Sequence, residues 1–556
     1  MRSGRFSGLY LREAWRRARC RVAHVRLRLF RHTVYVPERL IVAPTDLRPV
    51  DSHVAEEIIN GRFPLAGRML ETNGKSPFTF SLPSRSFAMR LHGFGWLRHM
   101  RSKKNDLHSN VARAIVNSWL SIHGSRLEGI AWEIDVTATR VIAWLSHSPV
   151  VLQNADRGFY RRFIRSLAFQ VRFLRRMANY APPGEVRFRV RLALAMASIA
   201  MPARAGVIRK SSEALDNEFD SQILPDGGHI SRNPRVGLEL LLDLLPLRQT
   251  YINLGHDLPQ KLISGVDRMY PALRFFRHQD GDLALFNGAT STSANELVSL
   301  LRYDETAGEP FKAMPHSRYQ RLAAGRTVVI ADTGLPPSGG LSRTVHAGCL
   351  SFEMSSGKHR FIVNSGSPKF AGNRYVQIAR TTAAHTTVTL NDTSSSRFAA
   401  SDFVSHVITD PVKTVQVERA AADDGRDVVK ASHDGYLKAF GALHERELTL
   451  NATGSIMTGL DRLVVSEDRR GEGVLRATAR FHAHPSINLK QMDRESVLMT
   501  APDGESWLFS SPGNTVQISE DVFFADASGI CTSDQMEITF SYPEKPEIRW
   551  FLSRRS

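Results

Sequence analysis

The stretch CLSFEMSSGKHRFIVN, residues 349–364, decides the fold of the second half of the chain. Its apolar residues follow a period near two from Cys349 to Met354 and again from Phe361 to Asn364, which is typical of β-strands. Ser355-Ser356-Gly357-Lys358 separates the two runs and has the composition of a hairpin turn. The stretch therefore predicts two antiparallel strands joined by a tight turn.

The same period recurs on both sides of this stretch. Four further runs have it: Thr327 to Ala331, Thr387 to Leu390, Glu447 to Leu450 and Ala477 to Phe481. Several short strands separated by turn residues are typical of an antiparallel sheet system. The last part of the chain is therefore predicted to be an antiparallel β domain.

Upstream of His278 the apolar residues recur every three to four positions, as they do on one face of a helix. Four segments have this pattern most clearly: Val111 to Leu120, Phe159 to Met177, Val186 to Met201 and Val236 to Ile252. Proline and glycine interrupt it at 181–184 and 225–228. We expect helix pairs joined by short loops, a short β segment within 78–96, and a partly ordered linker at 287–325. Helices followed by strands indicate separate domains.

The chain has 556 residues and a formal net charge of +18, with a pI near 10.1. This length suffices for two or three domains, and the positive field would attract nucleic acid, anionic lipid or acidic polysaccharide. No apolar run approaches the roughly 20 residues of a membrane-spanning helix. Cys20, Cys349 and Cys531 lie far apart, so we expect neither a disulfide framework nor a cysteine zinc site.

Much of the positive charge lies near the N-terminus. Residues 2–31 contain ten arginines and one acidic residue, Glu13, interleaved with apolar residues such as Leu11, Trp15 and Val22. One interpretation is a basic amphipathic helix that lies on a membrane surface or on nucleic acid, and the other is a solvated, partly disordered leader. The segment has neither the continuous apolar core nor the cleavage pattern of a secretory signal. Peripheral membrane contact through this segment is one expected partnership.

Several motifs resemble the heparinase II/III family, which includes alginate lyase-like polysaccharide lyases, and they span most of the chain after about residue 40. In the helical half, Trp132 to Trp144 resembles the family's Trp…Arg…Trp helix. The β half contributes five motifs: His346 to Glu353, Ile362 to Gly366, Thr382 to Val388, His444 to Leu448 and Arg480 to Pro485. The order and spacing of these motifs carry the resemblance.

The resemblance implies a multidomain α+β fold, in which an incomplete (α/α) toroid is followed by an antiparallel β-sandwich. We expect a basic leader at 1–40, the toroid at 41–310 and the sandwich at 311–556. The resemblance also implies a polysaccharide lyase, a carbon–oxygen lyase that cleaves an anionic, uronate-containing glycan by β-elimination. In that reaction a base removes the C5 proton, an acid protonates the leaving oxygen, and a partner neutralises the carboxylate. No redox cofactor is required.

The loop from Asp226 to Pro234 lies where the family places the Asn or His that neutralises the substrate carboxylate. His229 and Asn233 are therefore candidate catalytic residues, and Arg232 is a candidate for binding the substrate. A structural alternative also fits the sequence, because Asn233 could cap the helix that Pro234 begins.

His346, Asn364 and His385 fall where many family members bind a structural zinc ion with His, Asp and His. Asn364 replaces the acid and is a poorer zinc ligand than a carboxylate, so zinc is a doubtful cofactor. The family often has a catalytic His two residues before the first ligand, where this chain has Thr344. His346 and His385 are themselves candidate catalytic residues, because an unperturbed imidazole titrates near neutrality. Against this, lone histidines in strands are more often hydrogen-bonded core or surface residues.

The candidate catalytic tyrosine is Tyr375, which lies near a place where some alginate lyases present a tyrosine. Arg374 and Arg380 are close to it in sequence, and a positive field would lower the pKa of a phenol that acts as a base. These two arginines and Trp132 are candidate substrate-binding residues. Two other tyrosines lie on predicted helices and fit the edge of a helical core better: Tyr251 and Tyr270.

Two other functions compete with the lyase. A non-catalytic or weakened acidic-glycan-binding protein of the cell envelope is favoured by Thr344 and Asn364. A nucleic-acid-binding protein rests on charge alone, without a recognised motif, and we expect no specific nucleic acid partner. Glu133, Asp135 and Asp226 suggest glycoside hydrolysis by paired carboxylates, but Glu133 and Asp135 are two apart on a helix and do not share a face. Family members usually act in the periplasm or outside the cell, whereas no signal peptide is evident here.

Overall fold

The computed structural model describes the chain except for residues 1–2, 30–34, 104, 293, 307, 371–372, 423, 467–472 and 556. The chain divides into two compact units. The helical unit comprises Met1–Ile223, Glu239–Asp267 and Val298–Asp304, and the β unit comprises Leu224–Leu238, Arg268–Leu297 and Glu305–Ser556. Three segments of the predicted helical domain thus belong to the β unit: Leu224–Leu238, Arg268–Leu297 and residues 305–310. The predicted boundaries at 40/41 and 310/311 stay predictions.

Helices fill the first half of the chain, as the sequence predicts. The helical unit contains α1 (Ser3–Leu29), α2 (Ser52–Ile59), α3 (Arg85–Gly93), α4 (Asp106–His123), α5 (Ile134–Ser146), α6 (Ser148–Leu152), α7 (Arg157–Met177), α8 (Glu185–Ala200) and α9 (Ala205–Gln222), with a hairpin of β1 (Arg62–Leu65) and β2 (Arg68–Glu71). Three further helices run partly in each unit: α10 (Pro234–Asn253), α11 (Leu262–Phe276) and α12 (Ala294–Leu301).

Residues 78–96 differ from the prediction, because they form helical turns and α3 rather than a β segment. The reason is local. The Ser84 hydroxyl accepts a hydrogen bond from the Phe87 N–H at 3.0 Å and so caps α3. Helix α7 begins in the same way, since the Asp156 carboxylate accepts from the Phe159 N–H at 2.8 Å.

The leader adopts the helical one of its two predicted conformations, as α1. Arg2 and Arg31, the first and last arginines of the stretch 2–31, lie outside the described residues. Across the part of the chain that the structure describes, no helix combines the length and the apolar character needed to cross a membrane.

The β unit consists almost entirely of antiparallel strands. They are β3 (Ala313–Met314), β4 (Tyr319–Ala324), β5 (Thr327–Asp332), β6 (Phe352–Ser356), β7 (His359–Val363), β8 (Val388–Leu390), β9 (Arg397–Phe398), β10 (Ile408–Asp410), β11 (Val415–Ala421), β12 (Asp427–His433), β13 (Ala442–Leu450), β14 (Ile456–Val465), β15 (Leu475–Ala483), β16 (Asn488–Asp493), β17 (Ser496–Thr500), β18 (Ser506–Ser510), β19 (Gln517–Phe523), β20 (Cys531–Tyr542) and β21 (Glu547–Arg555). Two short helices interrupt them: α13 (Asn373–Ala379) and α14 (Leu437–Phe440).

All of these strands except β9 and β10, which pair with each other, form two large sheets. One has the order β19-β20-β15-β7-β6-β5-β4-β3, with β8 also paired to β15, and the other has the order β11-β12-β13-β14-β21-β18-β17-β16. The hairpin predicted at 349–364 is β6 and β7 in the first sheet, and its turn contains Gly357 with φ +54°. A continuous apolar core joins the sheets. Trp550 of β21 lies 5.4 Å from the ring of Phe352 and 5.0 Å from that of Phe481, so it packs across the two sheets.

Candidate functional site

The loop at 226–234 is fixed tightly within the β unit. The Asp226 carboxylate accepts hydrogen bonds from the N–H of His316 at 2.8 Å and the N–H of Ser317 at 2.6 Å. Gly227 has φ +80°, and a Cβ there would lie 1.8 Å from the carbonyl oxygen of Arg268, so only glycine fits. The loop lines a cavity of about 20 Å³, which has room for about one water molecule.

Arg232 of this loop is engaged by protein groups. Its guanidinium forms an ion pair with Asp332, and its Nε donates to the Ser317 carbonyl at 2.9 Å. The ring of Tyr319 lies 4.6 Å from its Cζ atom. Burial favours a lower pKa for Arg232, but the adjacent Asp332 outweighs it and raises that pKa. The side chain predicted to bind substrate is therefore part of a buried ion pair.

Three residues that the sequence analysis missed complete this buried network. Asn287 donates through Nδ2 to the Tyr319 hydroxyl at 2.7 Å and to Asp332 at 3.0 Å. The Tyr319 hydroxyl in turn donates to the Arg232 carbonyl at 2.6 Å. Burial raises the pKa of Tyr319, so its phenol stays protonated. No local motif marks these residues, because Asp332 lies 100 positions from Arg232.

His229 and Asn233 also have local partners. The Nδ1 atom of His229 lies 2.7 Å from the Ser231 hydroxyl and accepts the Ser231 N–H at 3.1 Å. Burial lowers the pKa of His229 to about 3, so the ring is neutral at pH 7. The Asn233 side chain accepts the Arg235 N–H at 2.9 Å, at the start of α10. This contact is the helix cap named as the structural alternative.

His346 and His385 form a directly hydrogen-bonded, buried pair. The His385 Nδ1 atom lies 2.7 Å from the Thr381 carbonyl, which can only accept, so this nitrogen carries the proton of the neutral ring. The Nε2 atom of His385 then accepts from His346 Nδ1 at 3.0 Å. Burial lowers the pKa of His385 to about 4 and lowers that of His346 strongly. By this assignment, the Nε2 atom of His346 is left as an acceptor.

Asn364 is held by different groups. Its Nδ2 atom donates to Glu353 at 3.2 Å, and its Oδ1 atom accepts the Thr386 N–H at 3.0 Å. Glu353 also accepts the Asn364 N–H at 3.0 Å and lies 3.2 Å from His278 Nε2. Glu353 is the last residue of the motif His346 to Glu353, but the sequence analysis did not predict that it hydrogen-bonds to Asn364.

These contacts decide whether the three residues fit a zinc ion. Both ends of the Asn364 amide are occupied, and the two histidines bond to each other. Nowhere in the described residues do three or more His, Cys, Asp or Glu side chains come together in a way that could hold a metal ion. The residues at 346, 364 and 385 therefore do not fit a three-ligand zinc site.

Of the remaining candidates in the β unit, Tyr375 and Arg374 lie at the surface and Arg380 borders the histidine pair. Tyr375 and Arg374 are exposed on α13, where the Tyr375 ring is 6.4 Å from that of Phe524. Arg380 is buried and donates to the carbonyls of Val345 at 2.9 Å and Ser342 at 2.6 Å. Burial lowers the pKa of Arg380 to about 10.

Trp132 lies in the helical unit, where it is buried against Arg140. Its Nε1 atom donates to the His123 carbonyl at 2.9 Å, and its ring lies 5.4 Å from the Arg140 Cζ atom. Arg140 donates to the carbonyls of His92 at 3.0 Å and Ala131 at 2.7 Å. The Trp…Arg…Trp motif thus builds the core of this unit. The catalytic and binding roles assigned to all of these residues stay predictions.

The fold defines a class of protein: an incomplete (α/α) toroid followed by an antiparallel β-sandwich, the architecture of heparinase-type polysaccharide lyases. Heparinase III has a similar structure, with a TM-score of 0.72 and 14% identity over 96% of this chain and 89% of that one. The heparan sulfate lyase HepC of Pedobacter heparinus matches with a TM-score of 0.59 and 14% identity, over 96% of this chain and 88% of that one. This confirms the predicted fold class.

Sequence comparison gives the family. Residues 306–551 match the family described as heparinase II/III-like, C-terminal. The chain is also 30% identical over 535 residues to FtsZ-localized protein C of Caulobacter vibrioides (strain NA1000 / CB15N), covering 93% of this chain and 91% of that protein. The chain belongs to the heparinase II/III family, as its motifs predict.

Proposed function

We propose that this chain is a membrane-associated protein that localises with FtsZ and binds an acidic glycan without cleaving it. The proposal rests on the solvent-exposed apolar face of α1. Four apolar residues on this helix are exposed to solvent: Leu11 by 70%, Trp15 by 67%, Val22 by 54% and Val25 by 54%. Their spacing places them on one side of the helix. A contiguous exposed apolar surface marks a site of protein or membrane contact.

The groups beside this face favour an anionic membrane. Four exposed arginines flank the apolar residues: Arg12, Arg19, Arg21 and Arg26. A second copy of α1 would bring like charges together, whereas an anionic lipid surface would neutralise them. A helix with one apolar face and arginines around it is suited to lie in the plane of a membrane surface.

The opposite face of α1 packs on the helical unit. Glu13 and Leu27 are buried, and the Glu13 carboxylate accepts from Arg16 and Arg17 at 2.9 Å each. The His24 ring packs edge-on against Phe173 of α7 at 5.3 Å. Because this face is already packed, the apolar face that remains is available for a partner.

The similarity to FtsZ-localized protein C supports the proposed localisation with FtsZ. The similarity covers 93% of this chain and 91% of that protein. That protein is named for localising with FtsZ, and the same localisation is proposed for this chain.

Binding rather than elimination is supported by the state of the predicted site. Arg232 and Arg380 are occupied by protein groups, burial lowers the pKa values of His229, His346 and His385, and Thr344 stands where many relatives have a catalytic His. The heparinase fold supports a glycan as the bound polymer, since the solved relatives include a heparan sulfate lyase.

Co-sedimentation of the full chain with vesicles tests the membrane part. The wild type is expected to sediment with vesicles that contain phosphatidylglycerol and to stay in solution with neutral phosphatidylcholine vesicles. Changing Leu11, Trp15 and Val22 to Gln should weaken binding at least roughly 100-fold, because each apolar side chain contributes about 1.5–3 kcal/mol when buried.

A matched control changes exposed apolar residues of the helical unit that lie outside α1. Leu107→Gln and Ile252→Gln alter side chains exposed by 55% and 50%. Equal loss of binding in the control and α1 variants, or no binding by the wild type, would contradict the membrane proposal.

Elimination is the second candidate function, and one observation favours it. The hydrogen bonds of the histidine pair leave His346 Nε2 as a proton acceptor. The test is absorbance at the unsaturated uronate band during incubation with heparan sulfate, hyaluronan, chondroitin, alginate and bacterial acidic exopolysaccharides. A rise that disappears in Asn233→Ala or His385→Ala would establish lyase chemistry, and a flat trace with retained glycan binding supports the first proposal.

A further inference from the structure

We infer that the exposed face of α7 is the surface that binds the acidic polysaccharide. This inference rests on the proposed glycan binding and names the place where it occurs. Helix α7 contains seven arginines and no acidic residue. Six of them are exposed and one is half-buried: Arg157, Arg161, Arg162, Arg165, Arg175, Arg176 and Arg172. The face is therefore strongly cationic along the whole helix.

The chain itself leaves this charge largely unneutralised. Among the described residues, Arg157, Arg161 and Arg165 form no ion pair, while Arg162 hydrogen-bonds to the neutral Asn117 at 3.2 Å and interacts electrostatically with Asp156. Burial, and then the neighbouring Arg176, lower the pKa of Arg175, as expected where like charges lie together. An external polyanion would supply the missing counter-charge.

The helix geometry arranges these charges in a line. Arg157, Arg161 and Arg165 are four positions apart, so each step advances about 6 Å along the axis, and α7 as a whole spans roughly 30 Å. Arg172 and Arg176 continue the same side of the helix about two and three turns beyond Arg165. A line of charges suits an extended, linear ligand.

The exposed side chains of α7 differ in kind from those on the proposed membrane-binding face of α1. The apolar residues of α7 are buried in the helical unit, among them Phe159, Phe163 and Leu167. Its exposed face offers arginine and the half-buried Tyr160, and no aliphatic side chain that could enter a bilayer. A water-soluble polyanion is therefore a better fit than lipid for α7.

The spacing also distinguishes the kind of polyanion. Duplex nucleic acid has one charge per about 1.7 Å of its axis, which is far denser than the steps of about 6 Å on α7. A uronate-containing chain is more sparsely charged, and its planar carboxylates match the forked donors of arginine. Tyr160 can pack against a sugar ring beside them.

The test is fluorescence anisotropy of the full chain with labelled alginate and hyaluronan oligosaccharides. The triple variant Arg157→Gln, Arg161→Gln, Arg165→Gln is expected to lose affinity roughly 10- to 100-fold and to have a shallower salt dependence. The control Arg68→Gln, Arg126→Gln, Arg204→Gln removes three exposed arginines elsewhere in the helical unit and should retain binding. Thermal unfolding checks that both variants fold.

The outcomes separate this inference from the proposed function. If the wild type binds and both variants bind equally well or equally poorly, the assignment to α7 is overturned. Glycan binding by the chain would still stand. No uronate binding by the wild type would overturn glycan binding itself, with vesicle binding still testing α1. Equal or tighter binding of poly-L-glutamate or duplex DNA, with the same loss in the α7 variant, would overturn the choice of polysaccharide.

Discussion

Most charged groups of α1 and α7 face solvent, whereas those of the predicted site in the β unit face other protein groups. The two helices hold fifteen arginines and one acid, which is +14 of the net charge of +18, and most of these arginines reach solvent. In the β unit, Arg232, His346 and His385 are buried and bonded to neighbours. The residue types suggested a catalytic site in the β unit, whereas solvent exposure favours α1 and α7 as the surfaces that bind partners.

The largest effect is expected from breaking the buried ion pair. Asp332→Asn leaves the Arg232 guanidinium buried without its carboxylate, which should lower the free energy of unfolding by about 3–5 kcal/mol. Urea denaturation measures this. Asp424→Asn, which removes the exposed partner of Arg426, is the control and should cause no measurable change. An unchanged free energy of unfolding in Asp332→Asn would contradict the ion pair and would leave Arg232 available to bind substrate.

A smaller effect is expected from acidification. The pKa of His385 is about 4 in the folded protein and about 6.5 in the unfolded chain, so the unfolded state binds protons first as the pH falls. The stabilisation is complete above pH 6.5 and is lost toward pH 4. At pH 5 the loss is about 2 kcal/mol relative to pH 7. His229 and His346 shift in the same direction and add to it.

Urea denaturation at pH 7 and pH 5 measures this dependence. His385→Gln should reduce the difference between the two values. An unchanged difference in that variant would show that His385 is not the buried neutral group described here.

The smallest effect on stability is expected on α7. Arg161→Gln with Arg165→Gln should change the free energy of unfolding by no more than about 0.5 kcal/mol, because exposed side chains without partners contribute little. Thermal or urea unfolding measures it. A loss above 2 kcal/mol would indicate that these arginines support the fold rather than a ligand.

Local features of the fold were predictable from the sequence. The hairpin at 349–364 depends on alternation and on a turn that contains glycine, and both are read within sixteen residues. The helical pattern at 159–177 was equally local, and it is α7. The error at 78–96 was local as well, because the cap at Ser84 was not recognised.

The candidate site was predictable only as residue types in motifs. The motifs identified the family, but the partners of Arg232 and Asn364 come from distant positions. Arg232 is bound by Asp332, and Asn364 by Glu353 and Thr386. Sequence spacing cannot report such contacts, since they depend on how strands pair in space. Whether an arginine or histidine is free to react is therefore known only from the structure.

The most direct test of binding without cleavage measures both on one sample. Purified full-length protein is incubated with a labelled uronate glycan, while anisotropy reports binding and near-ultraviolet absorbance reports the unsaturated product. The expected result is saturable binding with a flat absorbance trace. A rise in absorbance that is lost in Asn233→Ala or His385→Ala would contradict the account and identify the chain as a lyase.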